Sequence, residues 1–171
     1  MIEKPIDEIT KADIESLIAD AVREGRAIDY KRDWPGDTPD DRKELLADFS
    51  SFANASGGEL LFGVEEKDGI PIKAEGLSGS IDEGILRIEN IVRDGIQPRI
   101  PGIKIRPVEG FSKGPVLVVK IPKSWNSPHM VDFRNASRFF TRNSAGKYQM
   151  DVTEIRSAFL MSEEIPERMR R

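Results

Sequence analysis

The stretch SFANASGGELLFGVEE, residues 51–66, decides the fold of this chain. Apolar residues recur at helical spacing within and before it, which indicates a helix with one apolar face: Leu45, Leu46, Phe49, Phe52 and Ala53. The glycine pair at 57–58 is typical of a helix end, because glycine accepts the left-handed conformation found there. The apolar run at 60–64 then predicts a short strand that is buried on both faces.

Glu65 and Glu66 follow that buried strand directly. Carboxylates at such a position either begin a solvated turn or belong to a functional site. Since charged residues lie mostly at protein surfaces, the sequence alone favours the turn. Both interpretations stay open at this point.

Length and composition bound the classes of protein to consider. We expect one domain over residues 1–160 and a charged tail, or a linker to a further region, over 161–171. The chain has no cysteine, which excludes disulfides, thiol nucleophiles and cysteine-based zinc sites. No apolar run approaches the roughly 18 residues of a membrane span, so we expect a cytoplasmic protein without a membrane partner. A net charge of −4 excludes a uniformly basic surface but not a local basic face.

The remaining elements follow from capping patterns and apolar periodicity. Helices are predicted to begin at 10–13, 38–41, 80–83 and 151–154, with the first one ending near Gly25. Strands are predicted at 27–32, 60–64, 70–74, 103–108, 116–121 and 138–142. Helices and strands alternate early and strands cluster late, so the sequence predicts an α+β fold: a mixed β-sheet with helices packed on it.

Three segments taken together resemble the ordered motifs of the Schlafen-type AlbA domain family, also described as an AlbA-like DNA-binding domain and formerly as a divergent AAA domain. They are EGRAIDYK at 24–31, SFANASGGELLFGVEE at 51–66 and RFFTRNSAGKY at 138–148. The resemblance runs from about Glu24 to Phe159. It implies an α+β domain associated with nucleic acid, either RNA or DNA.

In the Schlafen branch, similar domains are metal-dependent endoribonucleases that act on structured RNA such as transfer RNA. The resemblance implies that the catalytic acids fall on Glu24, Asp29 and Glu66, or on Glu65 with a one-residue shift. It implies a Mg²⁺ or Mn²⁺ ion held by Glu24, Asp29 and Glu66. This chain has the shorter aspartate as its second acid and the longer glutamate as its third, which keeps the charge but moves the oxygens.

Converging carboxylates need compensation wherever they occur. Two of them about 4 Å apart repel by roughly 4 kcal/mol at an effective dielectric constant near 20. A cation, a shared proton or a lysine would relieve that repulsion, and Lys31 shares the strand face of Asp29. Lys31 is therefore a candidate catalytic residue. The alternative is that Asp29 and Lys31 form only the solvated face of an edge strand.

Basic and aromatic residues are interleaved late in the chain, as expected of a nucleic-acid-binding surface. The candidate binding residues are Lys120, Lys123, Arg134, Arg138, Arg142 and Lys147, and Trp125 extends the same surface. Phe139 and Phe140 are neighbours in a strand, so at least one of them is expected in the core. The alternative is that the arginines only keep the outer face of that strand soluble.

The single histidine, His129, excludes histidine-rich metal sites, and no G-x-S-x-G elbow supports a hydrolase triad. We expect His129 in a surface loop or in contact with a phosphate. The segment 79–84 has two glycines but lacks the lysine and hydroxyl of a phosphate loop, so there is no ATP signature.

The sequence thus predicts a nucleic-acid-binding domain of the Schlafen AlbA-like family. A metal-dependent endoribonuclease is one alternative, and a regulatory or interaction module fused to further domains of a larger protein is another. Homodimerisation through an edge strand stays open.

Overall fold

A computed structural model describes residues 1–169, and the helices of that part of the chain are α1 (Lys11–Ala19), α2 (Pro39–Asn54), α3 (Ile81–Gly95) and α4 (Val152–Met169). Its strands are β1 (Ile28–Lys31), β2 (Gly57–Phe62), β3 (Val64–Lys67), β4 (Ile70–Ala74), β5 (Ile96–Gln97), β6 (Lys104–Val108), β7 (Val116–Pro122), β8 (Met130–Phe133), β9 (Ala136–Asn143) and β10 (Gly146–Gln149). A short 3₁₀ turn precedes α1 at Ile6–Glu8.

Two four-stranded sheets and one hairpin organise these strands. The first sheet has the order β1-β2-β7-β6, with β1 parallel to β2 and the other pairs antiparallel. The second sheet has the order β10-β9-β8-β5 and is antiparallel throughout. β3 and β4 form a separate hairpin. The predicted α+β fold with a mixed sheet and packed helices is confirmed.

β2 lies in the interior of the first sheet and is buried along its whole length. Leu60 and Phe62 pack with α2 and α3 on one face, whereas Leu61 packs with Ile28 and the N-terminal segment on the other. This arrangement confirms the prediction of a strand buried on both faces, and it leaves two distinct apolar clusters on either side of one sheet.

α2 lies between the two sheets and contacts both β2 and β9. Its start follows the predicted capping pattern: the Thr38 hydroxyl accepts a hydrogen bond from the Asp41 amide at 3.1 Å, and Pro39 occupies the first turn. The helix ends at Asn54, before the glycine pair that was predicted to end it. Gly57 instead turns the chain into β2 with φ of +74°, where a Cβ atom would lie 2.5 Å from the Lys123 amide nitrogen.

The Asn54 side chain joins the C-terminal end of α2 to the second sheet. Its amide nitrogen donates to the carbonyls of His129 and Phe140 at 2.9 Å each, and its oxygen accepts from the His129 amide at 2.7 Å. One residue therefore fixes the register of α2 against β9 and against the loop before β8.

Several boundaries differ from the sequence prediction. α1 ends at Ala19 rather than near Gly25, because Ala21 has φ of +48° and reverses the chain. β3, β5, β8 and β10 were not predicted, since strands of two to four residues are too short to show periodicity. α4 continues through Met169 across most of the predicted tail at 161–171, and residues 170–171 lie outside the described residues.

No helix in the described part of the chain combines the length and the apolar character that crossing a membrane requires. The cytoplasmic location stays a prediction.

Candidate functional site

A polar cavity of about 610 Å³ lies where the end of β1 meets the β3–β4 hairpin and the β9–β10 turn. All five candidate catalytic residues line it: Glu24, Asp29, Lys31, Glu65 and Glu66. Other charged residues complete its walls: Arg32, Glu44, Arg142 and Lys147. The fold therefore brings together acids that are far apart in the sequence.

Asp29 is the most enclosed of the five, with 8% of its surface exposed. Ile28 and Tyr30 face the N-terminal core cluster, so strand alternation turns Asp29 towards α2. Its carboxylate accepts a hydrogen bond from the Arg142 guanidinium at 3.0 Å and lies 3.9 Å from the Lys31 ammonium. Burial alone would raise the pKa of Asp29, but Lys31, a hydrogen bond with Glu24 and Arg142 together lower it. The solvated edge-strand interpretation of Asp29 is wrong.

Glu24 is half-buried beside Asp29, and its carboxylate accepts a hydrogen bond from the Tyr30 amide at 2.9 Å. Burial, the hydrogen bond with Asp29 and the charge of Asp29 raise the pKa of Glu24 to about 7. The charge of Glu66 acts in the same direction. Glu24 and Asp29 are therefore a carboxyl–carboxylate pair that shares one proton below neutral pH.

Glu65 and Glu66 lie on β3 at the rim of the cavity. Glu65 is half-buried and Glu66 is exposed. The Glu66 carboxylate accepts a hydrogen bond from the Gly69 amide at 2.6 Å and so closes the β3–β4 turn. Glu66 therefore stabilises the turn and also lines the cavity, and its place in a functional site stays a prediction.

Asp48 is the principal residue that sequence reasoning missed. It is fully buried on α2, with its carboxylate 3.1 Å from the Lys31 ammonium and 2.6 Å from that of Lys147. Burial raises the pKa of Asp48, and the two lysines oppose that rise. A signal was present: Asp48 lies three residues after Leu45, on the apolar face of α2, where a carboxylate requires a partner. Glu44, one turn earlier, also contacts Lys147.

Arg142 joins this network from the opposite sheet. Only 4% of its surface is exposed, its Nε donates to the Gly25 carbonyl at 3.0 Å, and its guanidinium lies 4.0 Å from the centre of the Phe52 ring. The prediction that Arg142 binds nucleic acid directly is wrong, because its donors are used inside the protein. The side chain of Arg142 points from β9 towards α2 rather than towards solvent.

Comparison with protein families supports the predicted resemblance. The family model described as Schlafen, AlbA_2 matches residues 24–151, which include every residue that lines the cavity. The chain belongs to the Schlafen AlbA_2 family. A comparison with curated proteins finds no match.

Two solved structures are similar to this Schlafen AlbA_2 domain. The DIP2311 protein of Corynebacterium diphtheriae is 20% identical with a TM-score of 0.50, and the alignment covers 82% of this chain and 26% of that one. The N-terminal domain of a RecG-related protein from Nitrosomonas europaea is 22% identical with a TM-score of 0.49, covering 64% of this chain and 72% of that one. The chain therefore spans about a quarter of the DIP2311 protein, and that similarity supports the fold alone.

The metal set implied by the Schlafen AlbA_2 resemblance is only partly assembled. In residues 1–169, as far as they are described, no group of three or more Asp, Glu or His side chains is arranged to hold a metal ion. Glu24 and Asp29 are in contact, but Glu66 is bonded to its own turn. Glu24 and Asp29 supply carboxylate oxygens of the kind that Mg²⁺ and Mn²⁺ bind, and the binding of an ion by them stays a prediction. The complete three-carboxylate set stays a prediction.

The six candidate binding residues of the Schlafen AlbA_2 domain separate into two groups. Arg142, Lys147 and Lys120 are bonded within the protein, the last through the buried Glu59 at 3.1 Å and the Ile2 carbonyl at 3.1 Å. The other three are Lys123, Arg134 and Arg138. They are exposed, and no acidic side chain of the described chain lies within ion-pair distance of them.

The aromatic neighbours and His129 also differ in location. Phe140 packs against the core beside α2, whereas Phe139 meets Phe159 of α4 edge-on at 5.9 Å. His129 is fully buried, and its Nδ1 lies 2.6 Å from the Pro98 carbonyl oxygen. Burial lowers the pKa of His129. The expectation that His129 lies at the surface is wrong, since the Asn54 side chain bonds the His129 backbone to the end of α2.

Proposed function

We propose that this protein binds nucleic acid through an exposed basic surface formed by Lys123, Arg134 and Arg138. The observation that carries the proposal is the separation of its basic residues: these three project into solvent without an ion-pair partner in the described chain. Unpaired guanidinium and ammonium groups are the donors that phosphate oxygens accept. Membership of the Schlafen AlbA_2 family supports the same class of ligand.

The test is the salt dependence of binding. We expect single-stranded RNA or DNA to bind with an affinity that falls as salt rises, because each phosphate contact releases counterions. A Lys123→Gln, Arg134→Gln, Arg138→Gln variant should weaken binding and reduce the slope of log affinity against log salt by about 2. Fluorescence anisotropy at several salt concentrations measures both quantities.

The matched control removes three exposed cations elsewhere: Lys11→Gln, Lys43→Gln, Arg99→Gln. It makes the same change in net charge and should leave most of the affinity and the slope intact. Equal losses of affinity in the two variants would mean that only the net charge matters, and they would overturn the proposed surface. Absence of any salt-sensitive binding would overturn the function.

A metal-dependent endoribonuclease acting on structured RNA such as transfer RNA is the second candidate. The observation that favours it is that Glu24, Asp29 and Glu66 open on one cavity together with Lys31. A bound Mg²⁺ or Mn²⁺ supplies a Lewis acid and an activated water at such a site. Glu24 and Asp29 would hold the ion, and Lys31, bonded to Asp48 at its other side, would face the phosphate.

Cleavage of labelled transfer RNA with Mg²⁺ or Mn²⁺ tests this candidate. Metal-dependent cutting should be lost in Asp29→Asn, Glu66→Gln and kept in a control with two exposed acids removed, Glu3→Gln, Glu8→Gln. Calorimetric titration with Mn²⁺ alone gives a second measurement, since the double variant should lose the heat of metal binding. Intact RNA and no metal binding in the unmodified protein would reject the nuclease and leave the binding proposal standing.

A role as a regulatory module within a larger protein, and a homodimer, stay predictions. Sedimentation of the purified chain at several concentrations tests the second.

A further inference from the structure

Trp125 is the most exposed aromatic residue of the described chain, with 67% of its surface accessible. It lies in the loop between β7 and β8, two residues after Lys123. The other tryptophan, Trp34, contrasts with it: its indole nitrogen donates to the Ser78 carbonyl at 2.9 Å, and its ring packs against Gly84. Only one of the two indoles is therefore used by the fold.

The loop that carries Trp125 is fixed on both sides. Ser124 is buried, its amide donates to the Ala53 carbonyl at 3.0 Å, and its hydroxyl accepts from the Asn126 amide at 3.1 Å. Five residues after Ser124, the His129 backbone is bonded to the Asn54 side chain. The end of α2 thus anchors both sides of the loop and braces the backbone that carries the indole. A braced backbone has less conformational entropy to lose when the exposed ring packs against a ligand.

A basic depression of about 300 Å³ lies beside this loop. Lys123 lines it together with Lys104 and Ser56. Both lysines are exposed, and neither has an ion-pair partner in the described chain. Arg26 reaches the same place, because its Nε donates to the Ser56 hydroxyl at 3.0 Å. Lys104, Lys123 and Arg26 are therefore cations at this depression, whose one acid among the described residues, Glu59, is paired with Lys120.

We infer that Trp125 stacks on an unpaired base of a single-stranded nucleic acid, and that Lys104 and Lys123 hold the flanking phosphates. The inference rests on the proposed nucleic-acid binding and narrows its ligand to single strands. Bases in a duplex are already stacked on both faces, so an exposed indole reaches only unpaired ones. Stacking accepts any base, which predicts little sequence preference.

Affinity measurements with Trp125→Ala test the stacking contact. Binding of a ten-nucleotide uridine oligomer should weaken at least about fivefold, with the salt slope unchanged, because the contact carries no charge. Lys123→Gln should instead lower the salt slope by about 0.7. Binding of a perfect RNA duplex should not respond to Trp125→Ala. The matched control is Leu86→Ala, an exposed apolar residue on α3 alongside the first half of α2.

Fluorescence locates the contact independently of affinity. The oligomer should quench the emission of the unmodified protein, and Trp125→Phe should abolish the quenching while keeping measurable binding. Binding without quenching, or an equal loss in Leu86→Ala, would overturn the stacking inference and leave the proposed function intact. Absence of binding to any nucleic acid would overturn both.

Sedimentation distinguishes a second copy of the chain as the occupant. If Trp125→Ala converts a dimer into a monomer, the indole packs against the partner copy and the inference is wrong. An unchanged mass with weakened oligomer binding supports it.

Discussion

The first sheet buries a charged cluster on each of its faces, and the two clusters differ in what surrounds them. On one face, Glu59 is paired with Lys120 and accepts the Ile2 amide at 2.9 Å, so one acid is matched by one base and by the N-terminal backbone. On the other face, Asp29 and the buried Asp48 share several cations, and Asp29 lines a cavity with further carboxylates. Buried charge alone therefore does not indicate a functional site. The Asp29 cluster is the candidate site because it holds more carboxylates than cations can pair one to one, and its role stays a prediction.

The largest loss in the free energy of unfolding is expected from Arg142→Met, which removes a cation from the Asp29 cluster. The substitution keeps an apolar side chain over Phe52 but leaves the buried carboxylates of Asp29 and Asp48 without the guanidinium. Breaking a buried ion pair on one side costs about 3–5 kcal/mol, and we expect a loss of that size in the free energy of unfolding. Urea titration measures it. Arg138→Met, exposed on the same strand, is the control, and equal losses would mean that the buried network contributes nothing specific.

A smaller loss, about 1–2 kcal/mol, is expected from Glu59→Gln. The amide can still accept from the Ile2 backbone, but it no longer pairs with Lys120, whose ammonium is partly exposed and regains water. A double-mutant cycle with Lys120→Met isolates the pair. If Glu59→Gln destabilised the protein as much as Arg142→Met, the single pair of Glu59 and Lys120 would contribute as much stability as the larger Asp29 cluster, which contradicts the comparison.

The cavity should also make the free energy of unfolding depend on pH through Glu24. The pKa of Glu24 is raised from 4.5 to about 7 on folding, so between these values the folded protein keeps a proton that the unfolded chain has lost. The stabilisation is full below pH 4.5 and is lost as the pH rises through 7. Because Glu24 is half-buried and partly screened, we expect a fall of roughly 1–2 kcal/mol.

Glu24→Gln should remove this fall. Urea titrations of the unmodified and variant proteins with a metal chelator at pH 4.5, 6 and 7.5 give the difference in the free energy of unfolding, which removes the contributions of groups that do not interact with Glu24. A constant difference across this range would contradict the shared proton.

The smallest effect is expected from Glu66→Gln. The residue is exposed and the amide oxygen can still accept from Gly69, so the free energy of unfolding at pH 7.5 should change by less than about 0.5 kcal/mol. Removing its charge lowers the pKa of Glu24, so the pH-dependent fall should move to lower pH. An unmoved midpoint would place Glu66 outside the electrostatic reach of the pair.

The sequence predicted those features that depend on neighbouring residues. Thr38 and Pro39 located the start of α2, and the apolar run at 60–64 predicted a doubly buried strand, because capping and side-chain alternation are local rules. The alternation of Asp29 and Lys31 predicted that they share a face.

Which elements pack against the face shared by Asp29 and Lys31 depends on the tertiary fold and not on neighbouring residues. α2 covers Asp29, and the second sheet covers α2 from its other side, so Arg142 points inward although its strand reads as an exposed basic segment. The same packing encloses His129. Sequence reasoning missed Asp48 because it weighed the apolar members of α2 and not the charged one among them.

The bond between Arg142 and Asp29 has a consequence for the order of folding. It joins residues 113 positions apart, and the contact of Lys147 with Asp48 joins residues 99 apart. An intermediate with α2 and the first sheet in place would leave Asp29 and Asp48 with Lys31 alone, without Arg142 and Lys147. That penalty disfavours the half-formed state, so the two sheets are expected to fold as one cooperative unit, at the slow rate typical of long-range pairing.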